Sequence, residues 1–113
     1  MKKDPERTRA VAAFIRYAVA GCPRNEDVIF YDVDEAKDIY AINGMFEYLD
    51  REGKEYMSKA VREVYMFLPG SGRRMCISGR VLAHATSAYA DVRTVYRWLK
   101  YAVKIFTSLR ESL

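Results

Sequence analysis

The chain has 113 residues, of which 50% are hydrophobic and 30% are charged. This length suits one domain with one modest core and excludes a multidomain enzyme, and the hydrophobic share argues against a disordered chain. The formal net charge is only +4 and the pI is about 9.1, so the position of the charges is more informative than their sum.

The positive charge is concentrated at the C-terminal end. Residues 73–113 hold eight Lys and Arg against two Asp and Glu, a net charge of +6. Residues 1–72 hold eleven Lys and Arg against thirteen Asp and Glu, a net charge of −2. A basic end on an otherwise balanced chain is typical of proteins that bind a polyanion.

No segment of the sequence predicts export or membrane insertion. The N-terminus has no apolar stretch of the kind found in signal peptides, and no apolar run is long enough to span a membrane. Cys22 and Cys76 are far apart and lack CxxC spacing, so we expect reduced thiols rather than a disulfide or a metal site. These features predict a cytoplasmic protein.

The first helix is predicted over residues 5–20. Asp4 can cap it, Pro5 suits its first position, and Gly21 and Pro23 end it. Apolar residues recur along it at helical spacing, which predicts one buried face: Ala10, Ala13, Phe14, Tyr17 and Ala18.

Two further helices are predicted before the middle of the chain. Residues 28–31 are β-branched and aromatic, but no partner strand is visible, so we expect an extended or helical lead-in. The second helix is expected to start at Asp34 and end at Gly53, with an apolar face of Ile39, Ile42, Met45, Phe46 and Leu49. The third is predicted over 54–68, and Pro and Gly break the chain at 69–72.

The C-terminal segment predicts a short helix and a long one. Ser78 precedes a helix over 79–87, and Asp91 is a good N-cap for a helix over 92–111. The inner face of the long helix is predicted to be Val92, Val95, Leu99, Ala102, Val103, Phe106 and Leu109.

The predicted fold class is therefore all-α, a compact bundle of about five helices with a C-terminal helix-turn-helix. Residues 1–68 are interpreted as a supporting or oligomerisation region, and residues 73–113 as the DNA-binding region of the same compact domain.

The spacing of residues 81–100 is typical of a helix-turn-helix. This motif needs a small residue in its first helix, a tight turn, an N-cap and a buried aliphatic anchor about ten residues after the small one. Ala85, the turn at 88–90, Asp91 and Val95 supply these parts in order. The turn of this motif commonly contains a glycine, because one of its residues has a positive φ. This chain has Tyr89 at that place, which predicts a longer or differently angled connection.

Basic residues follow the predicted second helix of the motif. At helical spacing they share one face, where arginine can bond a guanine edge and lysine can reach a phosphate. The candidate DNA contacts on this helix are Arg93, Thr94, Tyr96, Arg97, Lys100 and Lys104. Arg80 at the start of the preceding helix joins them, and backbone contacts are expected from Ser78 and from Arg73 and Arg74 on the Gly-rich loop.

A simpler interpretation of the same basic face stays open, since charged residues on a terminal helix are often only its solvated side.

Trp98 is expected to pack in the core, and the single histidine, His84, cannot build a metal site without partners. The nine tyrosines are expected to pack with their hydroxyl groups at the rim of the core.

The sequence does not favour an enzyme or a cofactor. The segment 70–72 lacks the GK[ST] of a phosphate-binding loop, and no nucleophile has a general base beside it in the sequence. The acidic clusters at 34–38 and 47–50 are better explained as solvated helix faces.

Residues 36–113 resemble small all-α regulators of phages and prophages of Gram-positive bacteria, the RinA/ArpU late regulators, whose C-terminal helix-turn-helix is similar to sigma-factor region 4. The resemblance lies in LDREGKEYMSKAVREVYM (49–66), the Pro-Gly break, and DVRTVYRWLKYAVKIFTSLRE (91–111). It implies a DNA-binding regulator with these residues at recognition-helix positions: Arg93, Thr94, Arg97 and Lys100.

We therefore expect a sequence-specific transcriptional regulator that reads the major groove of double-stranded DNA with helix 92–111. Because one such motif reads few base pairs, a homodimer is expected, and RNA polymerase is a candidate partner. The alternative hypotheses are a phage protein-interaction module that binds host machinery, such as RNA polymerase or a CRISPR effector, and a purely structural helical subunit.

Overall fold

The computed structural model describes residues 4–66 and 76–113, which form five α-helices and one short 3₁₀ helix. In chain order these are α1 (Pro5–Val19), the 3₁₀ helix (Asn25–Phe30), α2 (Val33–Arg51), α3 (Glu55–Val64), α4 (Ile77–Ala88) and α5 (Val92–Glu111). Neither of the two described ranges contains a strand, which confirms the all-α fold class.

The first helix follows its sequence pattern closely. The Asp4 carboxylate accepts a hydrogen bond from the Arg7 N–H at 3.3 Å, and Pro5 occupies the first turn. Gly21 follows the helix with a φ of +87°, a conformation that costs glycine little. The five residues predicted to be buried on this helix are buried in the structure.

The second helix begins earlier than predicted. Asp32, not Asp34, is its N-cap, and the Asp32 carboxylate accepts a hydrogen bond from the Glu35 N–H at 2.8 Å. Both aspartates can cap a helix, and the hydrophobic period does not distinguish positions two residues apart at a helix end. Of the two conformations left open for residues 28–31, the helical one is observed over residues 28–30.

The predicted bounds of the third and fourth helices also need correction. α3 ends at Val64, because the N–H groups of Tyr65 and Met66 both bond to the Val61 carbonyl and close the helix. The predicted extension to residue 68 and the break after it lie outside the described residues. α4 begins two residues before the predicted start, so Cys76 rather than Ser78 occupies the N-cap position.

The last helix has the predicted bounds and lies at the centre of the fold. The Asp91 carboxylate accepts a hydrogen bond from the Arg93 N–H at 2.7 Å, which confirms the predicted cap. α5 contacts each of the other four α-helices. On its inner face Phe106 meets the edge of Phe14 from α1, with ring centroids 5.3 Å apart, and Phe14 also stacks on Tyr65.

An ion-pair cluster ties the C-terminal end of α5 to α2. The half-buried Arg110 contacts Asp38 at 2.8 Å and Asp34 at 3.4 Å, and Arg16 of α1 contacts Asp38 at 3.3 Å. The prediction of a solvated acidic face is therefore wrong for Asp38, which is 17% exposed and joins α1, α2 and α5, whereas Asp34 is 89% exposed. The candidate site lies towards the opposite end of α5, on the face of the helix that is exposed to solvent.

Candidate nucleic-acid interface

The junction of α4 and α5 has the parts of a helix-turn-helix. Ala85 is buried at the contact between the helices, and Val95, ten residues later, is completely buried. Residues 89–91 alone connect the two helices. Of the two alternatives expected from Tyr89, the longer connection is wrong, because Tyr89 itself takes the left-handed conformation with a φ of +54°; the differently angled connection stays a prediction.

Backbone hydrogen bonds close this turn around Tyr89. The Tyr89 N–H bonds to the Thr86 carbonyl at 3.3 Å, and the Ala90 N–H bonds to the Ala85 carbonyl at 2.9 Å. The Tyr89 side chain is 98% exposed and contributes no packing. The turn is thus regular in length, and its strain is carried by the backbone of one tyrosine.

Four exposed basic side chains form a line along the outer face of α5. This line, here called the basic stripe, consists of Arg93, Arg97, Lys100 and Lys104. At 100° per residue the four positions fall within about 60° of one another around the helix. Tyr96 flanks the basic stripe on one side, and the half-buried Thr94 lies on the other.

Ion pairs involve only some of the described cations. Four arginines outside the basic stripe contact carboxylates: Arg16, Arg24, Arg51 and Arg110. Other cations outside it, such as Lys37 and Lys59, have no ion pair in the described part of the chain. Within residues 4–66 and 76–113, none of the four basic-stripe side chains makes an ion pair. The stripe therefore presents charge to solvent that no described carboxylate neutralises, which suits an external polyanion.

The candidate residues before the turn have partners within the fold. The Arg80 guanidinium donates to the Val64 carbonyl at 3.3 Å, which links α4 to the end of α3. The Ser78 hydroxyl lies 3.1 Å from the Cys76 sulfur, and this hydrogen bond, with one from the Gly79 backbone, lowers the pKa of the Cys76 thiol. Arg73 and Arg74 lie outside the described residues.

A polar and aromatic cluster supports the motif from behind. His84 is buried on α4, and its Nδ1 pairs with a carboxylate oxygen of Glu63 on α3. Trp98 lies beside it and meets the edge of Tyr56, with ring centroids 4.9 Å apart. The prediction that Trp98 packs against the core is confirmed, and His84 has the structural role expected of it.

Sequence reasoning missed the contribution of α1 to this face. The first turn of α1 lies against α5, so that Arg7 shares a cavity with Tyr96 and Lys100, and Arg9 shares a neighbouring groove with Lys104. No local pattern signals this contact, because it joins residues 89 to 95 positions apart in the chain.

Other kinds of site are not seen in the described part of the chain. There, no three His, Cys, Asp or Glu side chains are grouped so that they could hold a metal ion. Within the same residues no helix is both long and apolar enough to cross a bilayer. Cys22 and Cys76 are both free and exposed.

The comparisons with known proteins give no match: no protein family, no curated protein and no solved structure is detectably similar to this chain.

Proposed function

We propose that this chain is a sequence-specific DNA-binding transcriptional regulator that places α5 in the major groove of double-stranded DNA. The observation that carries the proposal is the unpaired basic stripe on the second helix of a helix-turn-helix with a three-residue turn. A helix fits the major groove, and the first residues of such a helix point at the base edges.

The two kinds of cation along the basic stripe suit two roles. Arg93 and Arg97 lie in the first two turns of α5, where a guanidinium can donate two hydrogen bonds to one guanine. Lys100 and Lys104 lie further along and suit the phosphates that border the groove. The basic stripe spans about 16 Å from position 93 to position 104, at a rise of 1.5 Å per residue.

The proposal extends to the partners that such a motif needs. One helix-turn-helix reads few base pairs, so a homodimer on a palindromic site is proposed, with RNA polymerase as a candidate further partner. A phage or prophage origin, as in the regulators that the C-terminal sequence resembles, belongs to the same proposal.

The decisive experiment is selection of bound duplexes from a random DNA pool, followed by mobility-shift titration of the selected site. We expect Arg97→Ala to weaken binding to the selected site by about 1–3 kcal/mol and to relax the preference at one base pair. Arg51→Ala removes an exposed arginine from α2, where it pairs with Glu47 at 2.6 Å, and serves as the matched control.

Two results would contradict parts of the proposal. If Arg97→Ala binds the selected site like the unchanged protein, then Arg97 does not read a base. If the unchanged protein binds no duplex at low salt and is not retained on heparin, then DNA binding itself is excluded.

A protein-interaction module is the second candidate function, because one surface of the N-terminal half favours a protein partner. Ile29, Phe30 and Val33 are 80%, 79% and 70% exposed, although they stand close together in the chain. Exposed apolar groups of this density are typical of contact surfaces. This function would be favoured if the protein binds no DNA but forms a stable complex with host RNA polymerase or with a CRISPR effector.

A further inference from the structure

A small cavity lies between the first turn of α1 and the middle of α5, at the edge of the basic stripe. Its volume is about 190 Å³. The residues that line it are Asp4, Arg7, Tyr65, Tyr96, Lys100 and Val103. Two cations and two phenols thus share one opening, and they come from α1, the end of α3 and α5.

The buried phenol of Tyr65 has a pKa that its burial and the neighbouring charged groups shift. Burial raises the pKa of Tyr65, and the Arg7 guanidinium opposes this rise through its charge and a hydrogen bond to the phenol. The Tyr96 phenol and the Asp4 carboxylate are close enough to raise the same pKa further. Arg7 and Tyr65 both line the cavity, and Arg7 itself is exposed to solvent.

The one carboxylate among the described lining residues already has a partner. An oxygen of Asp4 accepts the Arg7 N–H at 3.3 Å as the N-cap of α1. The N-terminal end of a helix also carries a partial positive charge. Asp4 keeps its negative charge at this cavity, and the hydrogen-bond donors that can meet an anionic ligand there are the Arg7 guanidinium, the Lys100 ammonium and the Tyr96 hydroxyl.

We propose that Arg7, Tyr96 and Lys100 bind one phosphate of the DNA backbone at this cavity, here called the phosphate seat. Guanidinium, ammonium and phenol groups are the donors that phosphate oxygens accept, and arginine offers two at once. Lys100 belongs to the basic stripe, so the seat lies where backbone flanks the groove that α5 enters. This inference rests on the proposed function and adds α1 to the DNA-binding surface.

The test compares the salt dependence of binding for Arg7→Gln, Lys100→Gln and the double variant, with Arg51→Gln as control. The logarithm of the binding constant falls with the logarithm of salt concentration by about 0.9 for each neutralised phosphate. If both cations hold one phosphate, each single variant lowers this slope by less than one and the double variant by about one. Preference among sequences stays unchanged in all three.

Three outcomes overturn the phosphate seat. In the first, the double variant has the same salt slope as the unchanged protein. In the second, its salt slope is lower by about two, because the two cations hold separate phosphates. In the third, its preference among DNA sequences changes. If the seat fails while Arg97→Ala still relaxes the preference, the proposed function stands. If the unchanged protein binds no DNA, both proposals fall.

A milder variant tests the seat even if the charge changes disturb the fold. Tyr96→Phe keeps the ring and removes only the hydroxyl. We expect affinity to fall about two- to fivefold on every sequence, with the salt slope unchanged, because one uncharged hydrogen bond is lost. Unchanged affinity would exclude the hydroxyl from the seat.

Discussion

Tyr89 forms the turn between α4 and α5 in a backbone conformation that tyrosine disfavours. A side chain in the left-handed region brings Cβ close to the carbonyl oxygen and costs about 1–2 kcal/mol. At a φ of +54° Tyr89 has this cost, and with 98% of its side chain exposed it gains no packing in return. The hydrogen bonds of the turn and the packing of α4 and α5 hold it there.

Tyr89→Gly is expected to stabilise the protein by about 1 kcal/mol, because glycine adopts this φ without strain. For a chain of this size the melting temperature should rise by about 4 °C, measured by thermal unfolding. The matched control is Ala83→Gly, an exposed position inside α4, which should lower stability by about 1 kcal/mol. A lower melting temperature for Tyr89→Gly would show that the tyrosine side chain stabilises the turn.

At the scale of the element, α5 has a buried face and an exposed basic face. Its inner positions, among them Val95 and Leu99, are buried, and the basic stripe runs along the opposite side. The period of apolar residues predicted this division, because an amphipathic helix with a cap at Asp91 leaves little freedom in its register. The basic stripe could be predicted for the same reason.

Leu99→Ala should lower the free energy of unfolding by about 2–5 kcal/mol, because Leu99 is 1% exposed and its loss leaves a cavity in the core. Arg97→Ala, two positions away on the exposed side, should change it by less than about 0.5 kcal/mol. Chemical denaturation measures both. Equal losses would mean that the two faces of α5 are not independent.

Other elements could be predicted only in part. The cap of α2 was ambiguous because Asp32 and Asp34 are both suitable, and only the hydrogen bond to Glu35 identifies the first. The start of α4 was misplaced because Cys76 is not a residue that marks a helix start. At Tyr89 the fold imposes a conformation that the residue disfavours, which propensity alone does not anticipate.

At the scale of the molecule, the two charge regions seen in the sequence become two surfaces. Acidic residues of α2 are drawn into the ion pairs of Arg110 and Arg16, while the basic stripe stays unpaired among the described residues. The contact between α1 and α5 brings Arg7 and Arg9 next to the basic stripe, together with the carboxylates of Asp4 and Glu6. No sequence pattern predicts this contact, since it depends on how distant helices pack.

Lys104→Ala should weaken binding to all DNA sequences alike and make the salt slope shallower by about one, because Lys104 is assigned a phosphate. Titrations over a range of salt concentrations measure the slope. Arg24→Ala, which removes an arginine that is 82% exposed beside Glu26, should leave it unchanged. A slope that does not change for Lys104→Ala would mean that this lysine contacts no phosphate.

The central place of α5 also bears on how this surface can be inherited. A surface helix that packs against a single neighbour can be transferred to another protein together with that neighbour. Here the helix contacts each of the other four α-helices, so its inner face is part of the core of the whole fold. Single substitutions along the basic stripe can therefore change the exposed surface without affecting the core. Replacing the whole of α5 would require matching substitutions in the four helices that pack against it.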